Sequence, residues 1–136
     1  MNTAEPFKRS QCAIANSLDI VGDKWSLLVV RDLLHGKRTY GDLANSLERI
    51  PTNILAERLK RLQAAGIVVG TAYQQHPLRS AYALTPKGKA LGDVLLEFVR
   101  WGKQHIPGTL AIKHAPTRAT SATSTAGKRR IRARRE

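Results

Sequence analysis

Cysteine is nearly absent from this chain, and so are long apolar runs. The 136 residues contain one cysteine, Cys12, so no intrachain disulfide can form and a reducing compartment fits. No apolar run approaches the ~20 residues of a membrane span, and the N-terminus is polar rather than signal-like. These absences lead us to expect a cytoplasmic protein that does not insert into membranes.

Aromatic and acidic residues are also scarce. Aromatic side chains make up 5% of the sequence, so the core of a single domain must rest on aliphatic residues within an apolar content of 42%. Ten acidic residues stand against 23 Lys and Arg, which gives a net charge of +13. Over half of this excess lies in residues 107–136, with 8 basic side chains and 1 acidic one. Such a charge favours polyanions, nucleic acid first and anionic membranes second.

Groups of residues that would indicate an enzyme or a metal site are missing from the sequence. The histidines His35, His76, His105 and His114 are too scattered to form a metal-ligand set by spacing, and a single cysteine gives no readable zinc site. No motif combines a nucleophile, a general base and an orienting group. We therefore expect no catalysis, no metal and no cofactor.

Three helices are predicted in the first part of the chain, after a flexible arm over residues 1–11. Apolar residues recur at helical spacing from Cys12 onwards. Asp23 can cap a second, largely buried helix, "KWSLLVVRDLL", by accepting hydrogen bonds from the amides of its first turn. Thr39 and Asp42 resemble a capping pair that opens a third helix of about two turns. The apolar stripe of that helix consists of Tyr40, Leu43 and Leu47.

The stretch "IPTNILAERLKRLQAAGIV" predicts a fourth helix with two distinct faces. Pro51 suits its start, and Gly66 suits the left-handed residue just beyond its end. Leucines line one side of the helix and polar residues the other, while Arg58 falls nearer the buried side. The inward residues are Leu55, Leu59 and Leu62, and the outward ones are Asn53, Glu57 and Lys60, with Ala56 at the flank.

A hairpin and a long helix complete the predicted domain. The segments "IVVGTAY" and "RSAYAL" flank the turn-forming "QQHPL" and predict two strands. Thr85 then caps a last helix that runs from Pro86 to about His105, roughly 30 Å in length. A helix that overhangs so small a domain is expected to pack on another chain. Residues 111–136 are expected to be a disordered basic tail, which leaves residues 12–110 as the domain.

The order of these elements indicates a DNA-binding fold. In a helix-turn-helix, the first helix crosses the DNA backbone and the second enters the major groove, which is about 12 Å wide. The hairpin that follows, with "QQHPLR" at its tip, would be the wing. The sequence therefore predicts a mainly α fold with a small β-hairpin, a winged helix-turn-helix.

Several motifs resemble those of a known family. "GDKWSLLVVRDLL", "IPTNILAERLKRL" and "YALTPKG" followed by "RWG" resemble the HxlR-type family of bacterial winged helix-turn-helix transcriptional regulators, which is related to the MarR group. The resemblance covers roughly residues 12–106 and implies a homodimer that binds a palindromic operator in double-stranded DNA and usually represses transcription. It identifies no small-molecule effector. Dimerisation would use the N- and C-terminal helices, with the apolar residues Ile14, Leu18, Leu91, Leu95, Phe98 and Trp101 at the interface.

The outward face of the fourth helix supplies the predicted base contacts. Asn53 lies in the first turn, where its amide could pair with an adenine edge. Glu57 could accept a hydrogen bond from cytosine or pair with Lys60 or Arg61 along the helix. The alternative for the whole face is an ordinary solvated surface. The residues predicted to approach the bases are Pro51, Thr52, Asn53, Ala56, Glu57 and Lys60.

Phosphate contacts are predicted on either side of that helix. Lys37, Arg38 and Thr39 lie at the entry of the third helix, where free backbone amides favour an anion. Arg79, on the wing, could reach the adjacent minor groove or the DNA backbone. The alternative for these four residues is a role in surface solubility.

Cys12 is a candidate thiol sensor. Several regulators of the family that this chain resembles sense electrophiles or oxidants through a cysteine at this position. A helix start favours the thiolate form, which is the reactive one. The alternative is that Cys12 is a small core residue.

The tail suggests a second function. "GKRRIRARRE" carries six Arg and Lys in ten residues, and such a run binds phosphates of any nucleic acid, RNA included, with strong salt dependence. An architectural protein that binds nucleic acid without sequence preference is therefore the alternative to a sequence-specific regulator.

Overall fold

The structure, a computed structural model, describes residues 8–111. It confirms the predicted fold class, because helices predominate and two strands form an antiparallel sheet. Residues 1–7 of the predicted arm and 112–136 of the predicted tail lie outside the described residues. The elements are α1 (Ala13–Val21), α2 (Ser26–Leu34), α3 (Tyr40–Ala44), α4 (Thr52–Ala64), β1 (Val68–Gln75), β2 (Leu78–Leu84), α5 (Pro86–Lys89) and α6 (Leu91–His105).

Side-chain hydrogen bonds fix the first two helices. The Asp23 carboxylate accepts from the amides of Trp25 and Ser26 at 3.0 and 3.1 Å, which confirms the predicted capping of α2. Arg9 donates to the carboxylate of Asp19 at 2.8 Å. The described end of the predicted arm therefore lies against α1.

The predicted capping pair of α3 is confirmed. The amide of Asp42 donates to the hydroxyl oxygen of Thr39 at 3.0 Å, and the amide of Thr39 donates to the Asp42 carboxylate at 3.1 Å. The helix spans only Tyr40–Ala44 and is shorter than predicted. The chain leaves helical geometry at Asn45, where ψ is 38°. Leu47 therefore lies beyond the helix and is 56% exposed, so its assignment to the apolar stripe was wrong.

Both ends of α4 agree with the sequence pattern. Pro51 occupies the position before the helix in an extended conformation, and Gly66 has a φ of +77° just beyond the end, a value that L side chains rarely adopt. The three inward leucines are fully buried and join the core that α2, α3 and the base of the hairpin complete. The centre of that core consists of Val29, Val30, Leu33, Leu43, Leu55, Leu59, Leu62 and Ile67.

The hairpin is longer than the sequence pattern indicated. β1 and β2 pair from Val68 opposite Leu84 to Gln75 opposite Leu78, so two residues separate the strands instead of the five predicted. The prediction relied on apolar alternation, which ends before the tip. Backbone pairing does not need that alternation, and it continues into the polar segment.

The hairpin is attached to the segment that precedes α3. The amide of Tyr82 donates to the carbonyl oxygen of Arg38 at 2.7 Å, and Thr39 forms an isolated antiparallel bridge with Ala81. These bonds fix β2 beside the entry of α3. The position of the wing relative to the helix-turn-helix is therefore set by backbone hydrogen bonds.

The last predicted helix is two helices. Thr85 caps α5 as expected, because its hydroxyl oxygen accepts from the amide of Gly88 at 3.1 Å, but the chain divides at Ala90 into α5 and α6. Gly88 lies so close to Ile67 that a Cβ would be 2.2 Å from its carbonyl oxygen, which holds α5 at the base of the hairpin. α6 packs against α2 instead. One straight helix would not satisfy both contacts.

Within residues 8–111, none of the helices combines the length and the apolar character that crossing a membrane requires.

Candidate DNA-binding site

The outward face of α4 is exposed along its length. Asn53 lies in the first turn and Lys60 two turns later, and among the described residues neither side chain has a hydrogen-bond or ion-pair partner. Ala56 presents a methyl group between them. The exposed residues on or just before this helix include all the predicted base-contacting ones: Pro51, Thr52, Asn53, Ala56, Glu57 and Lys60.

The start of α4 is fixed by a side chain from α3. The hydroxyl of Tyr40 donates to the carbonyl oxygen of Thr52 at 2.6 Å. This bond joins the first turn of α3 to the first turn of α4, and thereby holds the two helices of the helix-turn-helix together at the end that carries Asn53. The sequence pattern assigned Tyr40 only to an apolar stripe.

Glu57 has partners on its own helix. Its carboxylate accepts from Nη1 of Arg58, and Nη1 of Arg61 lies 3.9 Å from the same oxygen. Of the alternatives that the sequence left open, the described residues show pairing with Arg61 and not with Lys60. Arg58 also lies nearer the buried side, as predicted, with its side chain 17% exposed.

The backbone amides at the entry of α3 are not free. Those of Arg38 and Thr39 both donate to the carboxylate of Asp42 at 3.1 Å, and although partial burial raises the pKa of Asp42, these bonds bring it below its ordinary value. The predicted capture of a phosphate by free amides at this point is therefore corrected. The exposed side chain of Arg38 remains available.

Lys37 has a structural role that the sequence analysis did not foresee. The residue is 8% exposed, and its ammonium donates to the carbonyl oxygen of Asn45 at 3.0 Å. It also lies 3.9 Å from the carboxylate of Asp32. An ammonium buried among these partners cannot reach a phosphate, so the predicted contact through Lys37 is corrected as well.

Arg79 lies where the wing faces α3. Its side chain is exposed near the tip of β2, opposite Gln74. A cleft of about 420 Å³ separates this part of the hairpin from the start of α3. Its walls bring Arg79 and Thr39 to one surface, together with Tyr40, Gly41, Tyr73, Leu78, Ser80 and Tyr82.

Two long-range ion pairs hold the helix-turn-helix on α2. Arg31 donates to both carboxylate oxygens of Glu48, in the turn between α3 and α4, at 2.9 and 2.7 Å. The hydrogen bond with Glu48 raises the pKa of Arg31 despite partial burial. Nε of Arg58 donates to Asp23 at 2.7 Å. Partial burial raises the pKa of Asp23, but hydrogen bonds from Ser26 and Arg58 outweigh it and hold the value well below the usual range.

A family model described as HxlR-like helix-turn-helix matches residues 20–109 of this sequence. The chain belongs to the HxlR-like helix-turn-helix family. The match confirms the resemblance that the sequence motifs indicated, and it covers the helix-turn-helix, the wing and α6.

Relatives of this HxlR-like chain are similar over most of their length. YvaP of Bacillus subtilis, named an HTH-type transcriptional regulator, is 34% identical over 106 residues, which make up 78% of this chain and 94% of YvaP. The crystal structure of PA1607, described as a candidate transcription factor, has a TM-score of 0.67 and 32% identity, covering 82% of this chain and 79% of that one. The redox regulator HypR in its reduced form has a TM-score of 0.62 and 28% identity, covering 71% of this chain and 95% of HypR.

In this HxlR-like chain, Cys12 directly precedes α1. Its residue is exposed and its thiol is free, so the alternative of a core cysteine is excluded. Its carbonyl oxygen accepts from the side-chain amide of Asn16 at 2.8 Å, and its amide donates to the hydroxyl oxygen of Ser10 at 3.1 Å. Nothing in these contacts shows a chemical role for the thiol.

The apolar residues predicted for the dimer interface of this HxlR-like chain fall into two groups. Leu91 and Leu95 are half-buried and pack against the core of their own protomer, so their expected place on an overhanging surface is corrected. The other four are exposed, from 53% for Leu18 to 72% for Ile14. Phe98 and Trp101 complete this exposed group.

Proposed function

We propose that this protein is a sequence-specific DNA-binding transcriptional regulator that acts as a homodimer on a palindromic operator and represses transcription. The observation that carries the proposal is the two-sided character of α4. Its leucine face is buried in the core, while the opposite face presents polar and small side chains to solvent. Membership of the HxlR-like family supports it, since relatives such as YvaP are named transcriptional regulators.

Base recognition would begin at the N-terminal end of α4. Asn53 carries the amide that pairs with an adenine edge through two hydrogen bonds, and the methyl of Ala56 suits the thymine methyl group. Thr52 and Lys60 would contact the same groove on either side. The residues that hold this surface in place, Tyr40 among them, lie within the protein and need not touch DNA.

Backbone contacts would come from the two sides of the cleft between α3 and the wing. Arg38 and Arg79 are exposed there, and the hydroxyl of Thr39 can still donate a hydrogen bond while its oxygen accepts from Asp42. Arginine suits phosphate because its planar donors match the geometry of the oxygens. These contacts would position the protein without reading sequence.

A dimer would cover apolar side chains that the protomer leaves exposed. Ile14 and Leu18 on α1, and Phe98 and Trp101 on α6, are each more than half exposed. Large apolar side chains clustered on terminal helices are costly to leave in water, and their burial against a second copy would stabilise the assembly. A two-fold axis would then place two α4 helices in successive major grooves, about 34 Å apart.

A response to oxidants or electrophiles is proposed for Cys12. The thiol is exposed and precedes a helix, and the similar protein HypR is named a redox regulator. Operator affinity should then change on treatment with a quinone or hypochlorite in the wild type but not in Cys12→Ser. An equal response in both proteins would remove Cys12 from the mechanism.

The experiment for the proposed function is selection of binding sites from random DNA, followed by footprinting. We expect recovery of a sequence with two-fold symmetry and discrete protection of both half-sites. The alternative is architectural binding driven by the basic residues beyond 111, which would recover no common sequence. Deleting residues 110–136 separates the two functions: a sequence-specific regulator keeps operator binding with a shallower salt slope, whereas an architectural protein loses binding.

A further inference from the structure

Four charged residues connect the turn before α2 with the outward face of α4. The Asp23 carboxylate accepts from Nε of Arg58 at 2.7 Å, and Nη1 of Arg58 donates to Glu57. Arg61 lies on the far side of Glu57. We propose that Asp23 and Arg58 are positioning residues that fix the Glu57 carboxylate and thereby set the sequence preference at one base pair. This inference rests on the proposed function and adds to it two specificity-determining residues that do not touch DNA.

The inner end of this charged relay is held firmly. Oδ1 of Asp23 accepts from the hydroxyl of Ser26 at 2.5 Å, and Oδ2 accepts from the amides of Trp25 and Ser26. The first turn of α2 therefore fixes the carboxylate in one orientation. The depressed pKa of Asp23 keeps it charged at neutral pH, so Arg58 always faces an anion at a fixed place.

Arg58 joins a largely buried carboxylate to an exposed one. The side chain of Asp23 is 20% exposed and that of Glu57 is 51% exposed, with Arg58 between them at 17%. Different nitrogen atoms of one planar guanidinium make the two contacts. A lysine would offer a single ammonium on a flexible stem and could not reproduce this two-sided geometry.

The relay decides which oxygen of Glu57 can meet a base. Both arginine contacts fall on Oε1, which leaves Oε2 as the acceptor for the amino group of a cytosine. If Arg58 did not hold it, the carboxylate would sample several rotamers and would have to be ordered on binding. Discrimination at that base pair should then fall, while contacts made by Asn53 should persist.

The test compares dissociation constants for the selected operator and for its single base-pair variants, measured by fluorescence anisotropy. Glu57→Gln first identifies the base pair whose preference depends on Glu57. Arg58→Gln and Asp23→Asn should each lower discrimination at that base pair about tenfold and leave the others unchanged. Arg58→Lys should give the same loss. In the Glu57→Gln background, Arg58→Gln should add nothing at that position.

Two controls keep the test independent of folding and of the wider proposal. Asp93→Asn removes the same charge from an exposed position on α6 and should not alter discrimination, and thermal melting identifies the variants that remain folded. If Arg58→Gln unfolds, Arg58→Lys and Asp23→Asn carry the test. Equal weakening at every base pair, or additive effects of Arg58→Gln and Glu57→Gln, would overturn the inference. A wild type that discriminates at no base pair would instead refute the proposed function.

Discussion

Replacing Asp23 by asparagine tests how much of the fold's stability depends on the ion pair with Arg58. Asparagine caps helices about as well as aspartate, so the variant keeps the amide contacts of α2 and loses the charge. Exposed pairs contribute about 0–1 kcal/mol, whereas a hydrogen bond to a charged group contributes about 1.5–3 kcal/mol. The two side chains are 20% and 17% exposed, which favours the second figure. We expect Asp23→Asn to lower the free energy of unfolding by about 1.5–3 kcal/mol at pH 7.

The pH dependence of this difference gives the prediction its sign. The folded protein holds the pKa of Asp23 below its ordinary value of 3.8, so the stabilisation is fully present above that value and is lost as pH falls toward the folded pKa. By pH 3 the gap between wild type and Asp23→Asn should shrink by about 1 kcal/mol. Urea unfolding followed by circular dichroism at pH 7 and pH 3 measures both gaps. Asp42 is present in both proteins, so its titration cancels. A gap that is absent at pH 7, or equal at both pH values, would refute the reasoning.

Three further perturbations test other parts of the structure. Gly88→Ala should destabilise the protein by about 1–3 kcal/mol in urea unfolding, because the added Cβ would lie 2.2 Å from the carbonyl oxygen of Ile67; unchanged stability would contradict that packing. Arg38→Gln should lower the slope of log affinity against log salt by about 0.9, whereas Lys37→Gln should lower stability instead, and the reverse pattern would contradict the burial of Lys37. Trp101→Glu should convert the proposed dimer to a monomer in analytical ultracentrifugation, and a dimer that persists would exclude α6 from the interface.

The features that the sequence predicted correctly depend on neighbours along the chain. The capping by Asp23 and the pair of Thr39 and Asp42 involve groups within three residues of one another, and Gly66 follows directly from the end of α4. The leucine stripe of α4 likewise needs only the period of a helix. Such local rules place the recognition helix and its outward face without any knowledge of the tertiary structure.

The features that the sequence did not predict depend on residues far apart in the chain. Lys37 resembles any surface lysine until Asp32 and the carbonyl oxygen of Asn45 are found around it. The break at Ala90 follows from two packing contacts in different places, and no helix-breaking residue marks it. The ion pair of Asp23 and Arg58 joins positions 35 residues apart. A wheel of α4 could place Arg58 near the buried side but could not name its partner.

The central claim is that the outward face of α4 reads base edges, and the affinity of Asn53→Ala for the selected operator tests it most directly. Two hydrogen bonds to one base discriminate by roughly 1–3 kcal/mol, so the variant should bind the operator about fivefold to 150-fold more weakly than the wild type. Its affinity for unrelated DNA and its melting temperature should stay unchanged, as should the operator affinity of the control Gln104→Ala on α6. Equal affinity of Asn53→Ala and the wild type for the operator would contradict the account.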